Sequence, residues 1–181
     1  LIQLVKKAKV RNEQRLFVVE GIRMFREIPE GWLDRIYVSE HFMEEESHVK
    51  VLQGKNYEVL ANHVFESVSD TKTPQGILCL VKMPDYTLEE VIPNAHLLIL
   101  ESIQDPGNLG TMFRTGEGAG ISGIIMNRTT VDVFNPKTIR STMGSIFRVP
   151  FFVTENLQDI LMQLKSRKIK LYSAHLQGSV S

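Results

Sequence analysis

Apolar and polar positions alternate along this chain with two different periods. Four consecutive apolar residues at 97–100 lead into Asp105, Pro106, Gly107 and Asn108, after which Leu109, Met112, Phe113 and Ala119 recur at helical spacing. A second apolar run, 121–126, follows a stop signal at Gly118 and Gly120. The pattern predicts strand, helix, strand, with a crossover long enough to demand parallel pairing. In sheets of that kind the loops at the carboxyl ends of the strands hold ligands.

The same reading extends in both directions. Before residue 82 it predicts a basic helix, a strand at 16–20, a helix from Gly21, a strand at 35–39, an acidic helix over 42–52, a strand at 57–60, a helix after Asn62 and a strand at 76–81. These compose a small α/β sandwich. Residues 83–94, with Pro84, Pro93 and several carboxylates, read as a linker. Beyond residue 95 the pattern adds a strand at 123–126, a helix over 136–143, a strand at 148–153, a helix over 156–165 and a strand at 169–173. The expected division is 1–82, linker 83–94, and a second α/β unit 95–181.

On the helix that follows Asp105, Leu109, Met112 and Phe113 share the face turned to the sheet, and Arg114 falls well off it. Asn108, at or near the N-cap, lies about 9 Å below Arg114 along the axis, within approach of a long arginine. Two readings stand side by side: both residues serve one mouth, or Asn108 only caps and Arg114 is a solvated helix arginine.

Composition narrows the setting without naming a function. The chain has 181 residues, 43% of them hydrophobic, and a formal net charge of zero, so its overall field favours no class of partner. The distribution is uneven. Residues 1–26 carry Lys6, Lys7, Lys9, Arg11, Arg15, Arg23 and Arg26 against Glu13 and Glu20, whereas Glu40, Glu44, Glu45 and Glu46 make 40–46 acidic. The basic stretch is either a phosphate-steering face or an ordinary solvated helix surface. One cysteine, Cys79, sits in an apolar run and permits no internal disulfide, which fits a reducing compartment. No apolar run is long enough to span a bilayer, and no secretory segment is seen. The five histidines lack metal spacing, so no metal is assigned. Gly116, Gly118 and Gly120 end a helix and do not open one, which argues against a dinucleotide loop.

Asp105-Pro106-Gly107-Asn108-Leu109-Gly110 followed by Arg114 resembles the first signature motif of the SpoU/TrmH ribose methyltransferases, part of the knotted SPOUT class. Phe17-Val18-Val19-Glu20-Gly21, Thr73-Pro74-Gln75-Gly76 and the segment 141–150 around Gly144 are similar to three further pieces of that family, in its order. The resemblance covers nearly the whole chain. It implies an N-terminal substrate-binding domain related to kink-turn-binding ribosomal proteins, then a SPOUT α/β knot domain with a parallel sheet, incomplete at its C-terminus. The knot is expected on resemblance alone. The family's glycine/glutamate loop and Ser/Asn helix do not occur before Ser181, and with Leu1 as first residue the sequence is expected to be a fragment.

The implied chemistry is methyl transfer from S-adenosylmethionine to a ribose 2′-hydroxyl of structured RNA, ribosomal or transfer, by a cytoplasmic homodimer. Arg114 and Asn108 would be the catalytic pair. Gly144, Ala174 and His175 would touch the cofactor, and Lys6, Lys7, Lys9, Arg11 and Arg15 the RNA. Two alternatives remain from other classes: a non-catalytic RNA-binding protein, and a base-directed enzyme of the same fold, against which the Asn108 and Arg114 pair argues.

Overall fold

The computed structural model describes residues 1–92 and 96–174. Its first sheet has the order β1-β4-β2-β3, built from β1 (Leu16–Glu20), β2 (Leu33–Ser39), β3 (Glu58–Leu60) and β4 (Ile77–Lys82). β4 runs antiparallel to both β1 and β2, while β3 joins β2 in parallel. Both faces are covered, which is why β4 is apolar at five consecutive positions. Val18, Leu78 and Leu80 pack under α1 (Ile2–Lys6) and α6 (Asn62–Val68). Phe17, Val19, Ile36, Val38, Ile77, Cys79 and Val81 point the other way, toward α3 (Ile22–Glu27) and α4 (Glu40–Met43).

Two predicted helices are broken. The basic helix splits at Lys7, whose backbone is extended, and α2 (Ala8–Gln14) starts afresh. The break lets Arg11 fold back onto the carbonyls of Leu4 (2.8 Å) and Val5 (3.1 Å). The acidic helix splits between α4 and α5 (Glu46–Val51) because Glu45 leaves helical geometry, its carboxylate accepting from Ser47 and lying 3.3 Å from His48 Nε2.

The second sheet is parallel, with β5 (Leu97–Leu100), β6 (Gly123–Asn127) and β7 (Phe151–Thr154) in the order β5-β6-β7. Helices α8 (Pro106–Gly118) and α9 (Pro136–Thr142) cover one face and α10 (Leu157–Ser166) the other. α8 ends as its glycines predict: Gly120 takes φ +72°, Gly120 N–H donates to Glu117 O (2.9 Å), and Ile121 N–H donates to Gly116 O (3.0 Å). None of the described helices is long and apolar enough to cross a membrane.

Within the stretch expected as a linker, Thr87 and Glu90 form a capping box on α7 (Leu88–Val91), and fully buried Val91 seats against Gly123, where even a Cβ would come within 2.5 Å of its Cγ1. The strand expected at 169–173 is absent, since residues 169–174 pair with no described strand; Ile169 and Leu171 simply pack beside the layer that holds Ile160 and Leu164. The expected knot lies outside the described residues.

The two sheets share one core. Phe17 of β1 meets Phe134 (ring centroids 4.9 Å apart) and Phe147 (6.4 Å) from the second unit, and Trp32 meets Phe147 edge-on. Polar links reinforce this contact. Arg140 bonds Asp70 (2.8 Å), Arg148 pairs with Glu27, and Arg11 pairs with Asp132.

Candidate active site

The carboxyl ends of β5 and β6 open into loops that hold one another. Ser102, at φ +56°, donates its N–H to Asn127 Oδ1 (2.8 Å), and Gln104 Nε2 donates to the carbonyls of Ser102 (3.0 Å) and Thr129 (2.9 Å). Val131 N–H donates to Ile103 O (2.8 Å). A non-glycine residue in the left-handed region is costly and is held only where its surroundings leave no alternative, which these bonds supply. The loops thereby fix where α8 begins.

Asp105, not Asn108, caps that helix. Its Oδ1 accepts from Asn108 N–H (2.8 Å), and Pro106 occupies the first turn. The Asp-Pro pair carried this signal in the sequence. Asn108 is thus a residue of the first turn with an exposed side chain that makes no hydrogen bond among the described residues. Leu109 and Phe113 are fully buried against the sheet. Gly110 lies on α9: a Cβ there would stand 2.4 Å from Ser141 Cβ and 2.9 Å from Thr138 O. Arg114 follows one turn after Gly110, on the flank that borders α9. It is exposed and makes no side-chain hydrogen bond or ion pair among the described residues. Asn108 and Arg114 stand about 120° apart around the axis at 100° per residue, and among the described residues no hydrogen bond joins their side chains.

Of the residues assigned to the cofactor, Gly144 and Ala174 lie among the described residues. Gly144 takes φ +97° just after Met143 (φ +51°), and a Cβ on it would press Glu27 Cγ at 3.1 Å and Arg148 Nη1 at 3.3 Å. Arg148 also bonds Glu117, near the end of α8. That guanidinium holds the Glu117 carboxyl below its usual range, and Glu117 in turn raises Arg148. Gly144 therefore serves the far end of α8, about 13 Å from the turn of Asn108. Ala174 is exposed in the irregular segment, and His175 lies outside the described residues.

The basic N-terminus is corrected in one respect. Arg11 is 3% exposed and committed to α1 carbonyls and Asp132, so it is not available to a phosphate. Arg15 sits 3.6 Å from Asp85 and Lys9 3.8 Å from Glu13, leaving Lys6 and Lys7 exposed and unpaired among the described residues. Periodicity alone missed the role of two motif pieces. Gln75 Oε1 accepts from Ile22 N–H (3.0 Å), and buried Glu20 accepts from Ser69 Oγ (2.7 Å), Thr71 Oγ1 and Asp70 N–H (3.3 Å), so the segments 17–21 and 69–76 form one polar cluster.

Comparison with known proteins assigns both halves. Residues 95–181 match the SpoU rRNA Methylase family model and residues 1–79 the MRM3-like substrate binding domain. The 23S rRNA (guanosine(2553)-2′-O)-methyltransferase RlmP of Bacillus subtilis is 33% identical over 94% of this chain, which spans 66% of that protein. The mitochondrial rRNA methyltransferase 3 of Homo sapiens is 30% identical over 87% of the chain, which spans 39% of it. Among solved structures, an rRNA methyltransferase from Sinorhizobium meliloti superposes with a TM-score of 0.77 at 29% identity, over 99% of this chain and 70% of that one. The SpoU methyltransferase AviRb of Streptomyces viridochromogenes, in complex with AdoMet, shares the fold with a TM-score of 0.80 at 21% identity, over 92% of this chain and 66% of its own. With a parallel α/β unit behind an α/β sandwich, and a motif helix whose cap, glycine and exposed arginine each have a place in the structure, the chain belongs to the SpoU rRNA methylase family.

Proposed function

We propose that this chain works in methyl transfer from S-adenosylmethionine to a ribose 2′-hydroxyl of ribosomal RNA, with residues 1–82 as the RNA-binding part and 95–181 as part of the catalytic unit. The reading includes a homodimer in a reducing, cytoplasmic setting. The observation that carries it is Arg114: a guanidinium on the exposed side of the family's motif helix, with no structural partner among the described residues. A side chain that stabilises nothing in the fold is available to a ligand.

S-adenosylmethionine supplies an activated methyl group on a sulfonium, a good neutral leaving group. Of the residues assigned to that cofactor, Gly144 borders Glu27 and Arg148 and Ala174 is exposed. What this chain's own residues supply is placement of the RNA. A guanidinium is a poor proton acceptor at neutral pH, so Arg114 acts as a fixed charge. It binds the phosphate beside the target ribose and favours negative charge as it develops on the 2′-oxygen. Asn108, on the opposite flank of the first turn, offers an amide to the sugar or base from the other side.

Replacing Arg114 by Ala in the intact protein is expected to leave the melting temperature unchanged and to lower ribose methylation by on the order of 10²-fold. Lys recovers little, lacking the planar fork. A variant that melts early yet methylates normally returns Arg114 to a structural role and removes the support for this reading.

A further inference from the structure

Between α3 and α9 lies a cleft of about 800 Å³ that the sequence did not announce. Arg23 and Arg26 line one wall, Arg140 and Met143 the other, with Thr73 and Gln75 between them. The carboxylates in and around it are all engaged. Glu20 accepts from Ser69, Asp70 and Thr71, Glu27 pairs with Arg148, and Asp70 pairs with Arg140. Arg23 and Arg26 are exposed and have no such partner among the described residues. Three residues apart on α3, they share one face, while Met24 and Phe25 between them are buried. The cleft thus offers two uncommitted guanidinium groups beside hydroxyl and amide donors, which is the chemistry of a phosphate-binding surface.

Its position identifies the anion. α1 buries Leu4 and Val5 on one face of the first sheet, with Val18, Leu78 and Leu80, whereas α3 buries Met24 and Phe25 on the other. Lys6 and Lys7 therefore lie across the sheet from Arg23 and Arg26. The α3 side faces α9 across this cleft, and α9 packs by Ser141 against Gly110 of α8, one turn before Arg114. A chain of phosphates seated in the cleft continues over α9 toward the flank of α8 that carries Arg114.

We infer that this cleft is the groove in which RNA docks, with Arg23 and Arg26 on consecutive backbone phosphates and Arg140 as the opposite wall. The inference rests on the methyltransferase reading and refines where its substrate lies. It moves the principal RNA contact from the N-terminal lysines to the second turn of basic residues, on the opposite face of the sheet.

The test compares two charge-removing variants of the intact protein, Arg23→Gln/Arg26→Gln and Lys6→Gln/Lys7→Gln, in filter binding to protein-free ribosomal RNA between about 50 and 200 mM salt. Each lost phosphate contact flattens the log–log salt slope by about 0.7–0.9, so the arginine pair should flatten it by about 1.4–1.8 and the lysine pair should leave it unchanged. Both variants are expected to melt with the parent, since all four side chains are exposed. Ultraviolet cross-linking with peptide mapping should place RNA on the segments around Arg26 and Met143. A flattened slope in the lysine variant alone, or cross-links confined to residues 1–9, overturns the groove while leaving the enzymatic reading intact. Tight RNA binding with ribose methylation absent in the parent protein overturns the reading on which the groove rests.

Discussion

At the scale of single residues, Gly110 shows what a motif position is for. It sits among the family's signature residues, yet its role is packing: the α8 and α9 backbones approach so closely that any side chain must displace Ser141. Gly110→Ala should cost about 1–3 kcal/mol in urea unfolding, as overpacking does. Gly118→Ala, with nothing within 4 Å of the added carbon, should be neutral or stabilising by up to about 1 kcal/mol. Equal midpoints for the two would contradict the contact described. Arg114 was legible from the sequence, since helical period alone sets it off the buried face. Arg11 was not, because a charged residue in a basic run reads as solvated. Its carboxylate partner lies 121 positions away. Cys79 could be read directly: a thiol in an apolar run, 1% exposed, whose burial pushes its pKa up to about 12.

At the scale of elements, Arg148 ties the end of α8, the end of α3 and the turn after α9 together through Glu117 and Glu27. The Glu117 carboxyl is held below its ordinary value of 4.5, first by the hydrogen bond from Arg148. A depressed carboxyl contributes stability that is present above the unfolded value and is lost as pH falls through the folded one. Urea midpoints should therefore drop below about pH 4.5, and Glu117→Gln should lower stability at neutral pH while flattening that acid limb. An acid limb of unchanged steepness would show that Glu117 is not the group responsible. Strands β1, β5 and β6 fell within a residue or so of expectation because apolar runs bounded by turn residues fix them. The break between α4 and α5, the helix α7 and the irregular segment 169–174 were decided by side-chain bonds and packing that hydrophobic periodicity alone does not report. These are a glutamate drawn out of a helix by Ser47 and His48, a glycine on β6 that admits Val91, and a backbone without a neighbouring strand.

At the scale of the whole molecule, the shared core and the Arg11–Asp132 pair make the two sheets one mechanical unit. The pair is asymmetric, with side-chain exposures of 4% for Arg11 and 28% for Asp132. Removing the carboxylate strands a buried cation, whereas removing the cation leaves a carboxylate that water can reach. Asp132→Asn should thus cost about 3 kcal/mol and Arg11→Met markedly less, with the double variant recovering part of the Asp132→Asn loss. Chemical unfolding of the three proteins decides this. The opposite ranking would mean that the guanidinium matters chiefly for α1.

The same pair also sets an order of events during synthesis. Arg11 is made within a few residues of Leu4 and Val5, whose carbonyls it will hold, but Asp132 follows 121 residues later. At about 5–20 residues per second that gap lasts about 6–24 s. The first sheet can close as soon as β4 has left the ribosome, so the nascent chain passes through a stage with a finished sheet and a guanidinium still hydrated at its edge. Helices α1 and α2, translated ahead of the sheet they cover, are in this way locked in place only after it has closed.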